Sequence, residues 1–212
     1  MLGDKEIETN RINVKRSPLI VFDGPNGAGK STIIKSVADQ LEEEEIKCCL
    51  TKEPTKSELG TFIHSSQNLY SKEVLACMVA ANRYEHLDTI IKPGIEKGCL
   101  VISDRYYPSS LVYQRMDGLD IGFIESLNQR IVVPDLTIIL TASEKTLKHR
   151  LALRDQITRF EKDQSRELEL YSEASEILME RGWNLITLNT DLLTVLEATT
   201  RIMHEIRKSI SN

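Results

Sequence analysis

From Pro18 onward, short apolar runs alternate with longer stretches whose apolar residues recur every three or four positions. The runs fall at 18–23, 46–52, 99–103, 136–140 and 184–188. Their length suits strands, and the amphipathic stretches between them suit crossover helices. Ile33 to Leu41 predicts the first helix. Ser71 to Lys92 predicts a long one with Val74, Cys77, Met78, Ala81 and Tyr84 as its apolar stripe, and Pro93-Gly94 marks its kink or stop. Asp120 to Val132 and Ser143 to Asp155 predict two more, the second capped by Ser143 three residues before Thr146. This alternation predicts an α/β fold: a five-stranded parallel sheet with helices on both faces. Residues 1–17 lack an apolar period and read as a loose N-terminal extension to a single domain over 18–212.

Composition removes several function classes. The net charge of −5 disfavours a nucleic-acid partner, because any phosphate affinity must come from a local cluster of Lys and Arg. No apolar stretch approaches the roughly 20 residues of a membrane span, and no signal peptide opens the sequence. Glu42 to Glu45 would oppose the dipole at the end of the first helix, so that run reads as solvated surface, not a metal site. Cys48, Cys49, Cys77 and Cys99 have no metal-ligand spacing and read as reduced, mostly core thiols of a cytoplasmic protein.

The turn after the first strand brings in chemistry. Gly24-Pro25-Asn26-Gly27-Ala28-Gly29-Lys30-Ser31-Thr32 fits G-x-x-x-x-G-K-[ST], with Leu19–Phe22 before it and the first helix behind it. Such a P-loop aims successive backbone N–H groups at a polyphosphate, at the positive end of a helix dipole. Lys30 is placed for the β- and γ-phosphates and Ser31 for Mg2+, so the chain reads as a binder of a nucleoside triphosphate.

Further candidates follow at the ends of later strands. Glu53, in Thr51-Lys-Glu-Pro54, lies on the same rim as the P-loop; it suits ordering a metal's waters, acting as a base, or simply occupying a turn. The third strand ends in Asp104-Arg105-Tyr106, which places a carboxylate near Mg2+ and a guanidinium near a phosphate, or else closes a turn with an ion pair. A basic string, Lys145, Lys148, Arg150, Arg154 and Arg159, runs up to Phe160-Glu161. It suits either a charged helix surface or a lid over about 150–161 that brings cations to a transferred phosphoryl group. Arg83, between small residues on the long helix, and Tyr113 and Gln114, in the first turns of the helix after Asp104, have no role that spacing alone assigns.

Taken in order, Phe22-Asp-Gly-x-x-Gly-x-Gly-Lys-Ser-Thr, Lys-Glu-Pro, Ala-Asn-Arg-x-Glu, Asp-Arg-Tyr-x-x-Ser-Ser-x-x-Tyr-Gln, Pro134-Asp135-Leu-Thr and Arg-x-x-x-Arg-x-x-x-x-Arg-Phe-Glu resemble the thymidylate kinase family from about Pro18 to Asp191. The resemblance implies transfer of the ATP γ-phosphoryl group to a nucleoside monophosphate, dTMP foremost, with Mg2+. It implies that Arg105 grips the acceptor's phosphate and Arg83 the pyrimidine edge. Tyr113 would crowd the 2′ position, Ser110 and Gln114 would sit by the base, and Arg154 and Arg159 would be lid arginines. Arg150 would join the P-loop residues at ATP. It also implies a homodimer packed through the long helix. The sequence departs from the family pattern at Asn26, where an acidic residue usually meets the sugar 3′-hydroxyl, at Val79, where an aromatic usually stacks on the base, and at His64, where an arginine is common. Two other readings stand beside it: a deoxynucleoside kinase with Glu53 as base, and a regulatory protein that holds ATP without turnover.

Overall fold

The structure is a computed structural model that describes residues 16–66, 69–153 and 163–211. Five strands, β1 (Leu19–Asp23), β2 (Cys48–Lys52), β3 (Leu100–Asp104), β4 (Leu136–Thr141) and β5 (Leu185–Asn189), form one sheet in the order β2-β3-β1-β4-β5. Every adjacent pair is parallel. All five fall within a residue or two of the apolar runs that predict them. The central strands are legible for a physical reason: β1 is buried along its whole length, so neither face breaks the run with polar residues.

The side-chain alternation of a strand divides the core in two. On one face, Ile20 and Phe22 pack with Ile33, Val37 and Leu41 of α1 (Lys30–Glu43) and Ile202, Met203 and Ile206 of α9 (Val195–Ser211). On the other, Leu19 and Val21 meet Leu111 of α5 (Tyr107–Met116), Ile124 of α6 (Ile121–Leu127) and Tyr171 and Leu178 of α8 (Gln164–Glu180). The remaining helices are α2 (Glu58–Ser66), α3 (Lys72–His86), α4 (Lys92–Glu96) and α7 (Glu144–Ala152). Ser71 caps α3, and Ser143 caps α7 by accepting from the Thr146 N–H, as its sequence position predicts.

Several expectations change. The long helix does not stop at Pro93-Gly94: a π turn over Leu87–Ile91 joins α3 to α4, and Pro93 lies in the first turn of α4, where its missing N–H costs little. The apolar stripe assigned to it is out of phase. Of the five, Val74, Cys77 and Ala81 are exposed and Met78 and Tyr84 half-buried, while Leu75, Ala76, Ala80, Asn82, Arg83 and His86 are buried. The thiols are not core residues either; Cys48, Cys49 and Cys99 are half-buried and Cys77 is exposed. The Glu42–Glu45 run is exposed as predicted, with Glu44 paired to Arg207 at 2.5 Å. The extension over 1–17 lies outside the described residues except for Arg16 and Ser17, and Arg16 pairs with Asp135 at 3.0 Å. Asp135 also accepts from the Leu19 N–H at 2.8 Å, which gives the Pro-Asp motif a structural task at the start of β1.

Candidate active site

The parallel register puts the carboxyl ends of β1 and β3 side by side, with Phe22 opposite Asp104. The P-loop therefore leaves the sheet beside the Asp104-Arg105 turn, at the rim where α/β sheets place ligands. Gly24 is needed there: its φ is +133°, and a Cβ would lie 2.1 Å from the Leu140 carbonyl oxygen. Gly29, at φ +91°, hands the loop to α1, whose first turn carries no acidic residue to offset its positive end. Lys30 is buried and donates to the carbonyls of Gly24 at 2.7 Å and Pro25 at 2.9 Å. Burial, helped by the nearby Arg105 charge, lowers its pKa from 10.5 to about 7. Arg150, in the last turn of α7, donates to the Gly27 carbonyl at 3.0 Å and to the Thr190 hydroxyl at 3.0 Å, fastening the P-loop to the loop after β5. Arg154 and Arg159 lie outside the described residues.

The residues expected to hold Mg2+ fit that task. Asp104 Oδ1 is buried with no hydrogen-bond partner among the described residues, while the Ser31 side chain is exposed at the start of α1. A buried carboxylate oxygen left unpaired is costly, and a cation relieves it. Among the described residues, no cluster of three His, Cys, Asp or Glu could hold a metal ion. Mg2+ takes one or two protein oxygens and completes its octahedron with water and phosphate, which is the donor set Asp104 and Ser31 offer.

Arg105 is the most heavily engaged cation of the site. Its backbone has φ +77°, uncommon outside glycine, and is held there by a bond from its N–H to the Phe22 carbonyl and one from the Ser103 hydroxyl to its own carbonyl. The side chain, 16% exposed, donates from Nη2 to Asn26 Oδ1 at 2.7 Å. Nη1 meets Tyr113 at 2.9 Å, Ser109 at 3.0 Å, Tyr171 at 3.3 Å and the Gly24 carbonyl at 3.5 Å. Lys30, Asp23, Asp104 and Glu167 complete the charged cluster around it. Asn26, one of the departures from the family pattern, thus meets a cation with its carbonyl oxygen.

A second buried network stands behind the loop after β2. Glu53 has both oxygens committed: Oε2 to Arg83 Nε at 2.9 Å and Oε1 to His86 Nδ1 at 3.1 Å. Arg83 is 1% exposed and also donates to Asn128 and to the Tyr106 carbonyl. Its guanidinium lies 5.3 Å from the Tyr106 ring centroid. Asn82 ties the same loop down, accepting from the Thr55 N–H at 2.9 Å and donating to its hydroxyl at 2.7 Å. Arg83 is therefore not a surface-seeking side chain; it is the counter-ion of Glu53.

On α5, Tyr113 and Gln114 sit in the second turn, because the helix begins at Tyr107, directly after the Asp-Arg-Tyr turn. Ser110 Oγ and Gln114 Oε1 share a face of that helix and are buried without partners among the described residues. Val79 is half-buried on α3, and His64 is exposed on α2. Asp23, Ser109, Glu167 and Tyr171 contribute to the site without having been singled out in the sequence. Asp23 stands at the strand end before the P-loop, a visible signal, whereas nothing in the local sequence around Glu167 and Tyr171 points to a partner some sixty residues earlier.

Comparison with known proteins agrees with this geometry. The thymidylate kinase family model matches residues 22–200. A probable thymidylate kinase of Pyrococcus horikoshii is 39% identical over 155 residues, which cover 69% of this chain and 76% of that protein. One from Methanococcus aeolicus is 38% identical over 194 residues, 88% of this chain and 94% of that protein, and one from Archaeoglobus fulgidus is 30% identical over 193 residues, 91% and 92%. A family model matched over most of its length, and relatives 30–39% identical over two thirds or more of it, show that the chain belongs to the thymidylate kinase family.

Proposed function

We propose that the protein transfers the γ-phosphoryl group of ATP to dTMP, giving dTDP and ADP. The observation that carries this reading is Arg105, a half-buried guanidinium set beside the P-loop in addition to Lys30. Binding ATP does not call for that second cation, whereas an anionic acceptor does. Lys30 holds the β- and γ-phosphates, and Asp104 with Ser31 would hold Mg2+, which would neutralise phosphate charge. Arg105 grips the acceptor's phosphate, and the family resemblance assigns the transferred group to Arg154 and Arg159, which lie outside the described residues. The unpartnered oxygens of Ser110 and Gln114 await polar atoms of the base.

The deoxynucleoside kinase alternative needs Glu53 as a base on a 5′-hydroxyl. Its carboxylate oxygens are occupied by Arg83 and His86, which speaks against it. The exposed stripe of Val74, Cys77 and Ala81 on α3 supports a homodimer packed through that helix. Among the described residues no helix is long and apolar enough to cross a membrane. Burial pushes the Cys48 thiol up to about 11, so it stays protonated at neutral pH.

The test is ADP release with ATP and Mg2+ against dTMP, dUMP, dCMP, dGMP, UMP, CMP and the matching nucleosides. Preference for dTMP is the expected result. Preference for another monophosphate would make Asn26 and Val79 the specificity switch, nucleoside turnover would restore Glu53 as base, and no acceptor-dependent release would leave a binding protein.

A further inference from the structure

Three hydroxyls surround Nη1 of Arg105, and two of them lead to one buried carboxylate. Ser109 accepts from Nη1 at 3.0 Å and donates to Asp23 Oδ1 at 2.7 Å. Tyr171 accepts from Nη1 at 3.3 Å and donates to the same Oδ1 at 2.9 Å. The third, Tyr113, donates to Glu167 at 2.7 Å. Asp23 is fully buried and also accepts from the backbone N–H groups of Gly24, Tyr106 and Ser109. It is thus joined to the first P-loop glycine, the turn after Arg105, the first helical turn of α5 and the middle of α8. Its own distance to Nη1 is 3.7 Å, too long for a direct hydrogen bond.

We propose that Asp23 is a positioning residue for the acceptor: acting through the Ser109 and Tyr171 hydroxyls, it fixes the Arg105 guanidinium in the pose that receives the acceptor's phosphate. A hydroxyl has one hydrogen and can point it either way. Because Asp23 takes the hydrogens of both Ser109 and Tyr171, the lone pairs of both turn toward Nη1. Burial pushes the Tyr171 phenol far up, so it keeps the proton it donates. Nη1 is thereby held by the protein. The opposite edge of the fork, Nη2 and Nε, remains for a bidentate grip on phosphate, with Asn26 bracing Nη2. Asp23 contacts no substrate in this scheme; it acts through Arg105, and the inference rests on the reading of Arg105 given above.

The experiment uses Tyr171→Phe, Ser109→Ala, the double variant and Asp23→Asn, each alongside Arg105→Ala. Initial rates are taken with dTMP varied at saturating ATP and Mg2+, then with ATP varied, and thermal midpoints are recorded. Each single hydroxyl deletion should raise the dTMP KM about threefold to fivefold, and the double about tenfold or more, the range of ordinary net hydrogen bonds, because the deletion acts on the acceptor only through Arg105. The ATP KM should stay within about twofold of the native value, taking that range as the normal spread of an interaction not touched. Asp23→Asn should match the double variant; if it fails to fold, the double variant alone decides. In an Arg105→Lys background the hydroxyl deletions should add nothing, because the strut has lost the guanidinium it holds. An unchanged dTMP KM in the double variant, with a large rise in Arg105→Ala, would overturn the strut and leave Arg105 as the phosphate ligand. Equal rises in both KM values with a lowered thermal midpoint would make Asp23 merely structural and overturn it too. No change in Arg105→Ala would instead remove the reading on which the inference rests.

Discussion

Removing the Arg83 guanidinium should destabilise the fold far more than removing an ordinary arginine. Arg83 and Glu53 have side chains 1% and 6% exposed, 2.8 Å apart at closest, and His86 on the far side of the carboxylate is 0% exposed. Arg83→Met keeps the length and apolar body of the side chain but strands a buried carboxylate. Breaking such a pair from one side costs about 3–5 kcal/mol, because the surviving charge stays buried without its partner. Loss of the cation over the Tyr106 ring at 5.3 Å and the Tyr107 ring at 6.0 Å adds roughly 1 kcal/mol. Glu53→Gln should cost about 3 kcal/mol for the mirrored reason. The double variant removes both charges, so its cost should fall short of the sum by about 2 kcal/mol or more.

Urea unfolding at pH 7 would measure these differences, read by far-ultraviolet circular dichroism and by Trp183 fluorescence. Trp183 is the only tryptophan, and its ring centroid lies 5.9 Å from that of Tyr107, which itself borders Arg83. Its emission therefore reports on the disturbed region as well as on global unfolding. Single costs below about 1 kcal/mol that add in the double variant would refute the reasoning, since the pair would then behave like an exposed one. Lost turnover at unchanged stability would refute it differently: Arg83 would then act on the substrate, as the family resemblance implies, and not chiefly as the counter-ion of Glu53.

Lys30→Ala should abolish turnover while leaving the circular dichroism spectrum intact; an unchanged rate would remove the P-loop assignment. Lys30 also predicts a pH effect in the absence of nucleotide, because its folded pKa of about 7 lies below its unfolded value of 10.5. Above pH 7 the unfolded chain binds more protons than the folded one, so the penalty of burying the charge is fully present below pH 7 and is relieved as pH rises toward 10.5. Lys30→Met should therefore exceed the native protein in stability at pH 6.5, with the gap closing by up to about 1.4 kcal/mol per pH unit above 7; a pH-independent gap would refute the shift. Val74→Asp should convert a dimer to a monomer in sedimentation velocity, and a native protein that already sediments as a monomer would refute the dimer.

How far the sequence could be read depended on whether the residues that act together are neighbours in the chain. The P-loop is one peptide, and its glycines, lysine and serine stand at fixed spacing because the loop's own geometry demands it. The strands were legible because a buried parallel sheet needs unbroken apolar runs. The Arg105 cluster was only half legible. Asp104-Arg105 announces itself at a strand end, but the side chains that hold Arg105 come from β1, α5 and α8. The apolar pattern does not predict α8. Its buried face includes Gln164, Glu167 and Ser175, polar residues that interrupt the period by which an amphipathic helix is recognised.

The phase error on α3 has the same cause and a functional consequence. Periodicity assigns the apolar residues to the core, and in most helices burial of apolar area justifies that. Here the buried face carries Asn82, Arg83 and His86 beside Leu75, Ala76 and Ala80, and the polar three are kept inside by Thr55, Glu53, Asn128 and Thr51. Such a polar network is tolerable only when its members are mutually satisfied, and it leaves the stripe of Val74, Cys77 and Ala81 facing out. An apolar stripe left in water is costly in an isolated chain. A second copy would cover that stripe, while Arg83 anchors the turn after Arg105 through the Tyr106 carbonyl. The error in the sequence reading thus coincides with the place where positioning the site took precedence over simple burial, and α3 links that site to the proposed dimer face.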